Sequence, residues 1–160
     1  MEKSETSKNN YWYSPLPKTG SVDKDGKSIE KQPNFNKKYT YDEIVELGCN
    51  YVRRVNPGFV FFDFDKPELA KLMEKIIRDR GLKCKKLTTT RGAHFMFRTE
   101  ASKISDGSGP NWLGIDCDLK GVGVDQPRKI NCQVIRLHDE DRPEEYLGKD
   151  YTMKIDQKSI

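Results

Sequence analysis

The sequence predicts an α+β domain with a mostly antiparallel sheet and helices packed on one face. Two observations lead to this class. Apolar runs of strand length are joined by short turn signals, and one segment between them has the apolar spacing of an amphipathic helix. The predicted order is hairpin, helix, hairpin and further strands, which is typical of α+β domains. The sequence has no Walker A motif and no G-x-G-x-x-G, so ATPase and dinucleotide-binding functions gain no support.

Composition is consistent with one cytoplasmic domain. A chain of 160 residues can bury a core without disulfides. We predict a polar, disordered tail over residues 1–10 and a single domain over residues 11–160. The net charge of +4 mildly favours polyanionic partners. No apolar run could span a membrane, and the charged start does not resemble a signal peptide. The four cysteines form no C-x-x-C pair, so we expect reduced, packed thiols rather than a zinc site.

The first part of the chain is predicted to be mostly loop with one short helix. Residues 11–13 are aromatic and could form a short strand before two prolines interrupt it. Residues 18–38 are rich in Lys, Gly, Ser, Asp and Asn, and we interpret them as a long loop. Thr40 and Glu43 have the spacing of a capping box, and Gly48 can end the helix that follows.

The next segment is predicted to be a hairpin followed by a helix. Residues 49–55 have strand character, and the turn residues 56–58 lead into a second apolar run over residues 58–65. Pro67 suits the first turn of a helix, apolar residues follow at helical spacing, and Gly81 can close the helix.

The second half of the chain is predicted to be strands and loops. Residues 84–90 and 93–98 form a second hairpin with a turn at Arg91 and Gly92. The remaining predictions are a loop over 100–111, a strand over 112–118, a turn over 120–123, a last strand over 129–137, a charged tail over 138–143 and weak strand character over 151–155.

The run over residues 58–65 is the central feature, because it is apolar and ends in two acids. Side chains alternate across a strand, so Asp63 and Asp65 point to the same face. Burying two unpaired carboxylates is costly, and a divalent cation such as Mg²⁺ or Mn²⁺ is the usual compensation. The alternative is that both acids cap the helix that begins at Pro67 and meet surface lysines.

Two further groups of polar residues lie where a predicted apolar strand meets a turn. The first is residues 88–94, which include His94. The second is residues 114–121, in which Asp116 and Asp118 share one strand face. Each set has an ordinary structural explanation: a histidine beside aromatics is commonly a hydrogen-bonded core residue, and acids on an edge strand are commonly solvated. Their combination with the first acid pair is more specific than any of them alone.

The chemistry that such a set would serve is nucleotidyl transfer. Two ions held by acids from two strands stabilise the attacking and the leaving oxygens of a phosphoryl-transfer reaction. The triphosphate also needs positive charge and hydrogen-bond donors. Arg91 offers a fork suited to phosphate, His94 offers a ring nitrogen, and Gly92 would let the backbone approach the phosphates.

Taken in order, these motifs resemble the archaeo-eukaryotic primase superfamily, in particular the small primase-polymerases of phages, plasmids and mobile elements. The family has an apolar strand ending in D-x-D or D-x-E, then a small-x-His motif in a hairpin, then an apolar strand with a third acid. The similar stretches here are Phe61-Phe-Asp-Phe-Asp65, Gly92-Ala-His94 and Ile115-Asp-Cys-Asp118, preceded by a G-x-N-x-x-x-R-like segment, Gly48-Cys-Asn-Tyr-Val-Arg-Arg54. The resemblance covers about residues 12–137.

The resemblance implies a sheet related to the RNA-recognition motif and a DNA primase or polymerase activity. It implies that Asp63, Asp65 and a later acid bind Mg²⁺ or Mn²⁺ as the catalytic residues, and that His94 binds the phosphates of the incoming nucleotide. Asp118 matches the third acid better because Leu-Lys-Gly follows it, with Asp116 as the alternative. The other nucleotide contacts that it implies are Arg91, Gly92, Arg53, Arg54 and Asn50.

The implied partners are a single-stranded DNA template, nucleoside triphosphates and a replicative helicase in cis or in trans. The family's zinc-binding module is not evident, and no helicase segment follows, so the chain is interpreted either as a catalytic core cut from a larger protein or as a minimal stand-alone form. Two alternatives stay open. One is a non-catalytic domain that binds single-stranded nucleic acid on a similar sheet, and the other is a glycosyltransferase, which would leave the Arg-Gly-x-His stretch unexplained.

Overall fold

The computed structural model describes residues 12–136, 145–148 and 154–155. These residues group into two compact units, residues 12–55 with 132–136 and residues 56–131 with 145–148 and 154–155. Each unit is described by itself, and the prediction of one domain over residues 11–160 stays a prediction. The expected disordered tail over residues 1–10 and the charged tail over residues 138–143 lie outside the described residues.

Within the described residues the fold is α+β, with two helices and mostly antiparallel sheets, as predicted at that level. The elements in chain order are β1 (Tyr13–Pro15), α1 (Tyr41–Leu47), β2 (Tyr51–Arg54), β3 (Phe59–Phe64), α2 (Pro67–Asp79), β4 (Cys84–Thr88), β5 (Ala93–Thr99), β6 (Gly107–Pro110), β7 (Asp116–Val122), β8 (Cys132–Ile135), β9 (Glu145–Leu147) and β10 (Lys154–Ile155).

The first unit contains α1 and an antiparallel sheet in the order β1-β2-β8. The predicted capping box is present: the Thr40 backbone N–H donates to Glu43 Oε1 at 2.9 Å, and the Glu43 N–H donates to Thr40 Oγ1 at 3.3 Å. Gly48 ends the helix with a φ of 62°, the left-handed conformation that glycine adopts without strain. The local sequence signals for this helix were therefore sufficient.

The second unit contains α2 and a sheet in the order β6-β7-β3-β5-β4-β9, with β10 pairing in parallel with β5. Strand β3 is paired on both sides, and five of its six residues are buried, with Asp63 the exception. Helix α2 begins with Pro67 and buries Ala70, Met73 and Ile77. Neither described helix is long and apolar enough to cross a membrane.

The predicted hairpin between β2 and β3 is wrong. Strand β2 pairs with β1 and β8, whereas β3 pairs with β5 and β7. The connecting turn bonds to the second sheet instead: the Gly58 N–H donates to the Val122 carbonyl at 2.7 Å, and the Gly58 carbonyl accepts from the Thr99 N–H at 2.9 Å. A tight turn therefore passes the chain from one sheet to another.

The expected strand over 112–118 and turn over 120–123 are also corrected, because β7 spans Asp116–Val122. Gly121 is the last residue but one of the strand and still pairs with Val60. A Cβ at this position would lie 2.9 Å from the Phe59 carbonyl oxygen, so the glycine serves close strand approach rather than a turn. The expected loop over 100–111 contains β6, an edge strand whose Gly, Ser and Pro residues have turn composition.

Candidate metal and nucleotide site

Strand β3 positions the first two acids. Asp63 lies inside the strand, with Phe62 and Phe64 pointing to the opposite face, where Phe62 packs on the Phe97 and Trp112 rings. Asp65 is the first residue after the strand and is exposed. The alternation that buries the phenylalanines therefore directs both carboxylates to the other face, as the sequence predicts.

Strand β7 supplies the third acid. Asp118 is the register partner of Asp63, and its Oδ1 accepts a hydrogen bond from Ser108 Oγ at 2.5 Å. One ligand oxygen from each of Asp63, Asp65 and Asp118 lies within 4.8 Å of the other two. We call these three residues the acidic cluster.

Asp116, the alternative third acid, does not belong to the acidic cluster found among the described residues. Asp116 is the first residue of β7, two residues before Asp118, and it pairs with Pro110 of β6. Its side chain is exposed. The ladder between β3 and β7 begins only at Asp63 and Asp118. The strand register thus distinguishes Asp118 from Asp116, which lie on the same face of β7 and cannot be told apart by alternation in the sequence.

The acidic cluster has an uneven charge distribution. Burial disfavours ionisation of Asp63, but the hydrogen bond and positive charge of His94 and the charge of Lys120 outweigh it, so the pKa of Asp63 lies below its usual range. Burial and the negative charges of Asp63 and Asp118 raise the pKa of Asp65, and the charge of Arg91 only partly opposes this. Neighbouring groups therefore stabilise the ionised form of Asp63, whereas burial and negative charges disfavour the ionised form of Asp65.

His94 lies next to Asp63 on the other side of β3. It is the register partner of Asp63 in β5, and its Nε2 lies 3.3 Å from Asp63 Oδ1. The imidazole packs on the Phe61 ring with centroids 4.9 Å apart, and the residue is 7% exposed. His94 thus has the burial of a core histidine and also a direct contact with the acidic cluster.

Arg91 and Gly92 form the turn between β4 and β5, as predicted. Arg91 is exposed, and its charge acts on Asp65. Gly92 has a packing role, since a Cβ there would lie 1.8 Å from the Phe64 carbonyl oxygen, and its approach to phosphates stays a prediction. The absence of a side chain at Gly92 allows this turn to pack against the end of β3, directly before Asp65.

The three other predicted nucleotide contacts belong to the first unit, where each has a local contact. Arg53 is buried, and its guanidinium donates to Gln133 Oε1 at 2.7 Å. The Arg54 guanidinium lies 5.4 Å from the centroid of the Trp12 ring. Asn50 Nδ2 donates to Thr19 Oγ1 at 3.1 Å. These contacts give each residue a structural role in its own unit.

Two residues beside the acidic cluster, Ser108 and Lys120, receive no functional role from the sequence, although Lys120 belongs to the Leu-Lys-Gly stretch that favours Asp118 as the third acid. The sequence predicts a loop at Ser108 and a turn at Lys120, because both have glycine neighbours. Lys120 lies opposite Phe61, two residues after Asp118 on the same face of β7. The period-two series of Asp116, Asp118 and Lys120 was the signal that would have found it.

The donor set of the acidic cluster fits a hard divalent cation. Carboxylate oxygens from two adjacent strands converge, and burial together with the negative charges of Asp63 and Asp118 raises the pKa of Asp65, charges that a cation would neutralise. Asp63, Asp65 and Asp118 are the residues that would hold Mg²⁺ or Mn²⁺. No protein-family model, no curated protein and no solved structure matches this chain, so its function has to be argued from the geometry of these residues.

Proposed function

We propose that this chain is a metal-dependent DNA primase or polymerase that adds nucleotides on a single-stranded DNA template. One observation carries the proposal: carboxylate oxygens of Asp63, Asp65 and Asp118 converge within 4.8 Å, and His94 lies 3.3 Å from one of these acids. Nucleotidyl transfer needs such a set of acids beside a donor for phosphate.

The strand arrangement supports the same proposal. The D-x-D motif, the small-x-His motif and the third acid lie on β3, β5 and β7, and β3 is the strand between the other two. The family that the sequence resembles has these motifs in the same chain order. We therefore include in the proposal that the second unit is an RNA-recognition-motif-like primase core.

In the proposed reaction the 3′-hydroxyl of the growing strand attacks the α-phosphate of a nucleoside triphosphate. A new P–O bond forms, the bond to the β-phosphate oxygen breaks, pyrophosphate leaves, and the hydroxyl proton passes to solvent water. Mg²⁺ or Mn²⁺ would lower the pKa of the hydroxyl and neutralise phosphate charge, so no side chain is needed as general base. Asp63, Asp65 and Asp118 would hold these ions.

The residues around the acidic cluster orient the substrate. His94 lies beside Asp63, where its ring can donate to a phosphate oxygen placed next to the carboxylates. Arg91 is exposed near Asp65 and presents a planar set of donors suited to phosphate. Ser108 holds Asp118 through its hydrogen bond and thereby limits the rotation of that carboxylate.

The test is a primer-extension and de novo priming assay on single-stranded DNA with Mg²⁺ or Mn²⁺. We expect synthesis by the wild type and none by Asp63→Ala. The matched control is Asp79→Ala, which also removes one acid but from an exposed pair with Lys75 on α2, and it should keep full activity. If folded wild-type protein shows neither synthesis nor metal-dependent nucleotide binding, the proposal is wrong.

One observation favours the non-catalytic alternative, and it lies in the first unit. The Trp12 ring has the Lys38 ammonium 5.1 Å and the Arg54 guanidinium 5.4 Å from its centroid, and Phe35 packs against its edge. Aromatic rings beside cations are typical of surfaces that bind single-stranded nucleic acid. Binding of single strands that needs no metal and weakens steeply with salt, without any synthesis, would favour this alternative.

A further inference from the structure

Lys120 stands out among the cations of the second unit because of its position. It is half-buried on β7, on the sheet face that carries the acidic cluster, and it is the register partner of Phe61. It is the second residue after Asp118 in the strand, a spacing of about 7 Å that a lysine side chain can bridge. Its charge helps to keep Asp63 ionised.

The second observation is that Lys120 forms no hydrogen bond or salt bridge within the residues that the structure describes. Two other half-buried lysines of this unit are paired: Lys86 with Glu74, and Lys129 with Asp106 at 2.9 Å. Lys120 is close enough to the acidic cluster to affect the pKa of Asp63, yet its ammonium contacts none of the three carboxylates. Among the described residues, therefore, nothing occupies its donors, and they can meet an anion brought to the site.

Arg91 and Lys120 flank the acidic cluster from two sides. Arg91 lies in the turn beyond the end of β3, whereas Lys120 lies on β7, level with a residue that precedes Asp63 in β3. A ligand with several phosphates extends beyond the carboxylates that hold its cations, so it needs positive charge at more than one point. A lysine ammonium can bind phosphate as a compact charge at the end of a flexible side chain.

We propose that Lys120 binds a phosphate group of the incoming nucleoside triphosphate on the β7 side of the acidic cluster. This inference rests on the proposed function, because that function supplies the substrate. It assigns a substrate contact to Lys120, a residue that the motif comparison uses only to align the third acid.

A role in balancing charge would give a different result from a role in binding phosphate. Removing a positive charge near three carboxylates leaves the affinity for a cation alone unchanged or increases it. If Lys120 only balanced charge, its removal would likewise leave the affinity for a cation-bound triphosphate unchanged or increase it. If Lys120 contacts phosphate, triphosphate affinity falls while the affinity for the cation alone does not.

The experiment measures the binding of Mn²⁺ alone, and of a non-hydrolysable nucleoside triphosphate with Mn²⁺, to wild type, Lys120→Met and Lys120→Arg. We expect Lys120→Met to weaken triphosphate binding roughly tenfold to a hundredfold, the range for a lost charge-assisted hydrogen bond. Mn²⁺ affinity should be unchanged or higher, and Lys120→Arg should restore most of the triphosphate affinity. Lys71→Met, an exposed lysine on α2, controls for net charge and should match wild type.

Three results would overturn the inference. Unchanged triphosphate affinity in Lys120→Met overturns it alone and leaves the proposed function standing. Equal losses of Mn²⁺ and triphosphate affinity indicate a structural role. Wild-type protein that binds no triphosphate with Mn²⁺ overturns both proposals together. If Lys120→Met does not fold by circular dichroism, Lys120→Gln is measured in the same way and judged by the same results.

Discussion

Asp118 lies directly opposite Asp63 in the antiparallel ladder between β7 and β3. Like charges in this arrangement destabilise a sheet unless nearby groups compensate. The compensation is visible in the structure: His94 contacts Asp63, Ser108 donates to Asp118, and Lys120 lies on the same face. The facing carboxylates are only partly compensated, and the proposed cation would complete this compensation.

The first prediction separates the two acids of β7. Asp118→Asn should weaken Mn²⁺ binding at least tenfold, because it removes a charged ligand from the acidic cluster. Asp116→Asn should change it less than about twofold, since Asp116 is exposed and outside the cluster. Isothermal titration calorimetry with Mn²⁺ measures both. Equal losses in the two variants would contradict the assignment of Asp118.

The second prediction concerns Asp65, whose pKa is raised in the fold. A carboxyl with a raised pKa favours the folded state when protonated, and that contribution is lost as the pH rises from about 3.8 through the folded-state pKa. At pH 7 without metal, Asp65→Asn should therefore stabilise the protein, by at most about 1 kcal/mol because the side chain is exposed.

Thermal unfolding in EDTA at pH 7 and pH 3 measures this effect. The stabilisation should be present at pH 7 and absent at pH 3, where the wild-type carboxyl is protonated. Adding Mg²⁺ should reverse the order of the two melting temperatures, because only the wild type keeps all three ligands. A variant less stable than wild type in EDTA at pH 7 would contradict the expected cost of ionising Asp65 through burial and repulsion.

The third prediction concerns Gly92, whose missing side chain makes room for the Phe64 carbonyl. Gly92→Ala should destabilise the fold by more than about 2 kcal/mol, because a Cβ placed 1.8 Å from that oxygen forces the turn away from β3. Gly107→Ala is the matched control, since a Cβ there meets nothing within 4 Å. Urea unfolding measures both. Similar stabilities for the two variants would mean that the turn can move without cost.

The fourth prediction concerns His94, which has two possible roles. If it binds substrate phosphates, His94→Ala should weaken triphosphate binding and leave Mn²⁺ binding largely intact. If it is only a core histidine, the variant should lose several kcal/mol of stability, because it removes a buried ring that packs on Phe61 and pairs with Asp63. Circular dichroism melts and nucleotide titrations on the same sample distinguish the two results.

The sequence by itself determined the elements whose signals are local. The capping box at Thr40 and Glu43, the left-handed Gly48 and the initial Pro67 defined both helices, because caps depend on a few consecutive residues. Alternation along β3 placed Asp63 and Asp65 on one face. The fold class and the hairpin between β4 and β5 followed from the same short-range patterns.

Only the tertiary structure decided which strands pair and in which register. The turn before β3 appears as a hairpin in the sequence, yet its backbone bonds to partners more than forty residues away, such as Val122. Gly121 suggests a turn, yet close strand approach requires it within β7. The choice of Asp118 over Asp116 and the placement of Ser108 and Lys120 beside the acidic cluster depend on that register. Pairing between distant segments depends on packing of the whole sheet, which local composition does not encode.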